Sequence, residues 1–114
     1  MPREHENVSR LWDMLDAARK VRQFTANKTF HEYAQDEVLQ AAVERKLEII
    51  GEAARGISED FQRDHPDIPW RGIIGQRHFL AHEYAEVRQE KLWRVATIRI
   101  SELIEQLEKL VPAP

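Results

Sequence analysis

Four stretches of this 114-residue chain repeat apolar residues at the spacing of an α-helix, and this pattern limits the fold more than any other feature. The first stretch follows Asn7, whose side chain suits an N-cap, and continues to about Phe24. The second begins at Thr29 and Glu32, which have the spacing of a capping box, and continues to Gly56. No segment alternates apolar and polar residues as a half-buried strand does, so the sequence predicts an all-α fold.

The second half of the chain carries the signals of a short helix and two longer ones. Ser58 is followed by two acidic residues, which predicts the start of a short helix. Pro69 suits the first position of a third main helix, which continues to about Tyr84. The fourth main helix is expected from about Gln89 to Leu110, where the sequence VPAP ends it.

Amphipathic helices with short connections are typical of an antiparallel bundle. We therefore expect residues 1–114 to form a single helical domain of four main helices plus a short helix. The apolar faces of the second and fourth predicted helices are wider than one bundle can bury. This surplus predicts a homodimer with two-fold symmetry.

Charge and composition exclude several classes of function. The net charge is only −3 with both signs interspersed, which argues against a broad basic face that grips duplex DNA. The chain has no cysteine, so it can form neither a disulfide nor a thiolate zinc site. It also lacks an apolar signal region and any run of about 18 to 20 apolar residues that would cross a membrane, so a cytoplasmic location is expected.

The octapeptide RHFLAHEY, from Arg77 to Tyr84, concentrates reactive side chains in one predicted helix. On a helix Tyr84 returns to within about 20° of Arg77, while His78 and His82 lie together about 100° to 140° around the axis. Arginine is a permanent cation that fits phosphate, and histidine exchanges protons near neutral pH. These groups suit metal-independent cleavage of RNA, in which the 2′-hydroxyl attacks the neighbouring phosphorus. Two copies facing each other in a dimer would supply both a base and an acid.

Each of these side chains also has an ordinary structural interpretation. Arg77 could be a helix-surface cation or the partner of a carboxylate, and His82 could be a hydrogen-bonded interface histidine. Tyr84 could be a packing residue whose hydroxyl remains in water. His78 and His82 have the spacing of metal ligands, but HFLAH lacks the glutamate of the metalloprotease pattern and a third ligand, so no metal site is expected.

The stretch GQRHFLAHEY resembles the motif of the HEPN superfamily, and more closely that of the HepT family: arginine, four residues, histidine, any residue, tyrosine. Arg77, His82 and Tyr84 fit this pattern without a gap. The flanking segments AVERKLEIIGEAARGISEDF and HPDIPWRGII, and the tryptophan in EKLWRV, extend the similarity over nearly the whole chain. The resemblance implies the HEPN fold, an antiparallel helical bundle that dimerises so that two motifs form one cleft.

The resemblance also implies an endoribonuclease toxin that needs no cofactor of its own. Arg77 would bind and polarise the scissile phosphate, His82 would act as the acid and base, and His78 would occupy the polar position after the arginine. The implied partner is an MntA-like minimal nucleotidyltransferase antitoxin, which uses ATP to transfer AMP to Tyr84. That modification adds bulk and negative charge beside Arg77 and would silence the toxin.

Three positions depart from the family pattern, in which asparagine is usual at His78 and common at Lys46. Lys46 is expected to add a cation near the cleft. Arg88 replaces the usual aspartate cap of the last helix, which is expected to weaken that helix start by about 1 kcal/mol. Two other classes of function stay open: a non-catalytic HEPN binding module that docks a nucleotidyltransferase or nucleic acid, and a simple helical scaffold.

Overall fold

The computed structural model describes residues 2–75 and 85–112. These residues form helices joined by short turns, with no strand among them. The helices are α1 (Pro2–Thr25), α2 (Phe30–Gln35), α3 (Glu37–Arg55), α4 (Glu59–Asp64), α5 (residues 70–75), α6 (Ala85–Arg94) and α7 (Ile100–Leu110). A π-helical segment, Val95–Arg99, joins α6 to α7. The all-α prediction is confirmed.

The first helix differs from its prediction at the N-terminal end. α1 begins at Pro2, and the expected cap residue Asn7 lies inside the helix with its side chain largely buried. The Asn7 amide donates to the Ser58 hydroxyl at 3.1 Å and accepts from the Ser58 backbone N–H at 3.0 Å. The cap assignment was wrong because this amide bonds to a residue 51 positions away, at the start of α4.

The second predicted helix is divided into α2 and α3. The capping box is confirmed, since the Thr29 hydroxyl accepts from the Glu32 N–H and the Glu32 carboxylate accepts from the Thr29 N–H. Asp36 then adopts an extended conformation and its carboxylate accepts from the Leu39 N–H at 3.0 Å, which starts a new helix. Aspartate favours such local side-chain bonds over the helix interior. Gly56 ends α3 as predicted.

The core lies where α1 packs along α3 and α7. Large apolar side chains from these helices and from α6 are fully buried there; they include Leu11, Met14, Leu15, Val21, Val43, Leu47, Ile50, Leu92, Ile104 and Leu107. Each contributes about 1.5 to 3 kcal/mol by leaving water. The shorter elements α2 and α5 pack against this core through Phe30, Ile73 and Ile74.

Candidate active site

The predicted site residues Arg77, His78, His82 and Tyr84 lie outside the described residues. Their roles and their positions relative to one another therefore stay predictions. What the structure describes is the scaffold on each side: the chain approaches this segment through α5 and leaves it into α6.

On the N-terminal side of the motif, contacts at the start of α5 fix the position of the chain. Pro69 lies one residue before α5 rather than at its first position as predicted, and its carbonyl accepts the Ile73 N–H at 3.0 Å. The Trp70 indole N–H donates to the His65 carbonyl at 2.9 Å, and its ring meets Phe61 of α4 edge-on with centroids 6.3 Å apart. These contacts anchor the helix that precedes Arg77 to the turn before it and to α4.

α5 also approaches α3 closely at Gly51, a buried residue that the sequence analysis did not single out. A Cβ atom at this position would lie 3.2 Å from the Ile73 carbonyl oxygen, which is tighter than an ordinary van der Waals contact. The two helix backbones can be this close because residue 51 is glycine.

On the C-terminal side of the motif, a buried network of hydrogen bonds fixes the position of α6. The Tyr33 side chain of α2 is fully buried, and its hydroxyl donates to the side-chain amide oxygen of Gln89 in α6 at 2.7 Å. The Gln89 amide N–H₂ donates to the Glu44 carboxylate of α3 at 3.3 Å. Burial and the Glu44 charge raise the pKa of the Tyr33 phenol, with the Arg88 charge opposing them, so the phenol stays a donor at neutral pH. The network ties α6 to both α2 and α3.

Aromatic packing strengthens the same junction. Trp93 of α6 lies against Tyr33, with ring centroids 5.2 Å apart, and against Phe30 at 6.3 Å. The Gln40 amide donates to the carbonyls of Tyr33 and Ala34, at 2.9 and 3.1 Å, and so satisfies the open end of α2. Sequence reasoning missed this cluster because its members come from three separate helices.

The two described departures from the family pattern have different outcomes. Arg88 lies inside α6, which begins at Ala85, so the predicted loss of a helix cap at residue 88 was wrong. Lys46 lies half-buried on α3, next to Leu47. Its expected place near the cleft stays a prediction, since the motif is outside the described ranges.

An apolar groove of about 400 Å³ opens between α3, α5 and the π-helical segment. Its lining residues are Leu47, Ile50, Pro69, Gly72, Ile73, Val95, Arg99, Ile100, Glu102 and Leu103. Arg99 and Glu102 form a loose, exposed ion pair at 3.9 Å, which contributes little to stability. The groove thus offers apolar surface along the helix that leads toward the octapeptide.

Within residues 2–75 and 85–112, no three histidine, aspartate or glutamate side chains are arranged to hold a metal ion. His78 and His82 lie outside those ranges, so the expectation that they bind no metal stays a prediction. None of the described helices combines the length and hydropathy needed to cross a bilayer.

Comparison with known proteins decides the family. The family model for Ribonuclease HepT-like proteins matches residues 14–110. The chain belongs to the HepT-like ribonuclease family. The resemblance carried by the octapeptide and its flanking segments is therefore confirmed.

Two named relatives align in sequence with most of this HepT-like chain. "Probable ribonuclease HepT" of Thermococcus cleftensis is 39% identical over 110 residues, which cover 96% of this chain and 98% of the relative. "Putative RNase MJ0127" of Methanocaldococcus jannaschii is 34% identical over 101 residues, covering 89% and 84% of the two chains. No solved structure matches this HepT-like chain.

Proposed function

We propose that this HepT-like protein is a metal-independent endoribonuclease. The observation that carries the proposal is the complete pattern of Arg77, His82 and Tyr84 within a chain that matches the HepT-like family from residue 14 to residue 110. Family membership alone supports a ribonuclease of the HEPN type. The arginine and histidine supply the chemistry that a metal ion supplies in other nucleases.

The proposed reaction needs one cation and two proton transfers. His82 accepts the proton of the RNA 2′-hydroxyl, whose oxygen then bonds to the adjacent phosphorus as the bond to the 5′-oxygen breaks. Arg77 binds the non-bridging oxygens and stabilises the added negative charge. The leaving 5′-oxygen takes up a proton, and the other product carries a 2′,3′-cyclic phosphate. His78 occupies the polar position that helps orient the phosphate.

A homodimer would supply the second acid–base group. Two features of the described surface support such a dimer: the apolar groove, and Ile98, which is 52% exposed on the π-helical segment beside it. An exposed apolar surface of this kind commonly marks a protein interface. Two-fold pairing through it would give the one shared cleft an Arg77 and a His82 from each subunit.

The test of catalysis is cleavage of RNA by purified protein in the presence of EDTA. We expect cleavage to persist, with cyclic phosphate ends on the products, because no step uses a metal ion. Sedimentation of the same preparation should show a dimer, and a monomer at all concentrations would contradict the composite cleft. RNA that stays intact, together with a stable complex with a nucleotidyltransferase, would favour the binding-module alternative instead.

We further propose that the protein is the toxin of a two-gene system and is silenced at Tyr84. An MntA-like nucleotidyltransferase would transfer AMP from ATP to the tyrosine hydroxyl, with release of pyrophosphate. The attached phosphate would compete with RNA for Arg77, and the adenosine would fill the cleft.

Intact mass spectrometry after incubation with such a partner and ATP tests the silencing. We expect a gain of one or more AMP groups, located on Tyr84, together with loss of RNA cleavage. Tyr84→Phe is expected to remain unmodified, whereas Tyr33→Phe is expected to be modified normally, since the Tyr33 hydroxyl is buried. Modification at another residue, or none, would contradict the proposal.

A further inference from the structure

We propose that Gly51 is a positioning residue for the nuclease motif, an inference that rests on the catalytic roles proposed for Arg77 and His82. Gly51 lies on the buried face of α3, and the backbone of α5 passes directly over it. Ile73, whose carbonyl oxygen makes the contact, precedes Arg77 by four residues in the chain. The absence of a side chain at residue 51 therefore sets how closely the approach to the motif lies against the core.

The other glycines show that this constraint is specific. Among the residues that the structure describes, a Cβ atom at Gly72 or Gly75 would meet nothing within 4 Å. At Gly56 the nearest atoms that it would meet belong to the side chain of Arg10, which is exposed and can rotate away. At Gly51 the obstacle is a backbone carbonyl, which can move only if α5 moves with it.

α5 has little freedom to absorb such a displacement elsewhere. Its first residues are tied down by the Trp70 bond to the His65 carbonyl and by burial of Ile68 and Trp70 in the core. A displacement of the Ile73 carbonyl is therefore expected to move the end of α5 that is nearer the motif in the chain. The contact calls for a shift of a few tenths of an ångström.

A displacement of this size affects catalysis more than folding. Alanine has a higher helix propensity than glycine by about 1 kcal/mol, which offsets the steric cost in a helix interior. Proton transfer and phosphate contact depend on reacting atoms held within narrow distances, and a misplacement of about 1 Å can cost on the order of 100-fold in rate. Gly51→Ala is therefore expected to fold and to cleave RNA with a kcat lowered by about tenfold.

Two control variants distinguish positioning from general stability. Gly56→Ala makes the same substitution at the C-cap of the same helix, against a flexible neighbour, and should retain the wild-type kcat. Val43→Ala removes buried apolar atoms from α3 away from α5, so it should lower the unfolding temperature and leave kcat unchanged while the protein is folded. Helical circular dichroism and thermal unfolding of every variant give the folded fraction at the assay temperature.

The inference fails if folded Gly51→Ala has the kcat of the wild type, or if Val43→Ala loses kcat to the same degree. If Gly51→Ala does not fold, the comparison is repeated in a Val38→Glu background, which replaces an exposed valine in the first turn of α3 by a stronger helix former. Failure to fold there as well would make Gly51 a residue of the fold alone. Arg77→Ala is assayed in parallel, since full activity of that variant would overturn the proposed function rather than the role of Gly51.

Discussion

Arg77→Ala is expected to lower kcat/KM for RNA cleavage by about 100-fold or more, because the negative charge that develops on the phosphate would lose the cation proposed to stabilise it. Lysine at the same position should recover only part of the loss. It keeps the charge but lacks the planar fork of donors that matches two phosphate oxygens. Initial rates on a labelled RNA at sub-saturating concentration measure the effect directly.

His82→Ala is expected to lower the same quantity by about 100-fold or more and to remove the part of the pH dependence that follows histidine titration. Arg22 and His31 provide matched controls, since both side chains are exposed, Arg22 on α1 and His31 on α2. Arg22→Ala and His31→Ala should cleave RNA as the wild type does. Equal cleavage by the motif variants and the controls would remove Arg77 and His82 from the reaction.

Tyr33→Ala is expected to lower the free energy of unfolding by about 3 to 5 kcal/mol, because it empties a fully buried aromatic site beside Trp93. Tyr33→Phe keeps the ring but leaves the buried side-chain amide oxygen of Gln89 without this donor. This loss is expected to lower the free energy of unfolding by about 1 to 3 kcal/mol. Urea denaturation followed by circular dichroism measures both. Gln35→Ala, at an exposed position on the same helix, is the control and should change stability little.

Two further measurements separate the hydrogen bond from the packing. In a double-mutant cycle, Tyr33→Phe and Gln89→Ala should be strongly non-additive, and additive losses would show that the bond contributes nothing. The raised pKa of Tyr33 adds a pH signature. Above pH of about 10 the unfolded chain ionises this phenol and the folded protein does not, so wild-type stability should fall more steeply there than that of Tyr33→Phe.

Local signals in the sequence predicted several boundaries correctly. The capping box at Thr29, the end of α3 at Gly56 and the start of α5 within one residue of Pro69 each depend on residues within one helical turn. The cap predicted at Asn7 was wrong because its side chain bonds to a distant residue. The break at Asp36 was missed because the capping box at Thr29 predicts the start of one helix that continues to Gly56.

The contacts that hold α5 and α6, on either side of the motif, could not be predicted from local sequence signals. Tyr33 and Gln89 are separated by 56 positions, and only the packing of α2 against α6 brings them together. Gly51 occurs within a regular helical pattern, where glycine indicates only a weaker helix. Its close approach to Ile73 depends on where a second helix lies, which no spacing within α3 encodes.

Because the π-helical segment interrupts the last long helix, α6 and α7 direct their buried faces toward different neighbours. The Ile100 N–H bonds to the carbonyl of Val95, five residues back, so this stretch holds one residue more than an α-helical turn allows. Relative to an uninterrupted helix, the extra residue turns everything beyond it by roughly 100°. α6 can thereby face α2 while α7 faces α1, so the end of the helix nearer the motif is oriented separately from the end that completes the core.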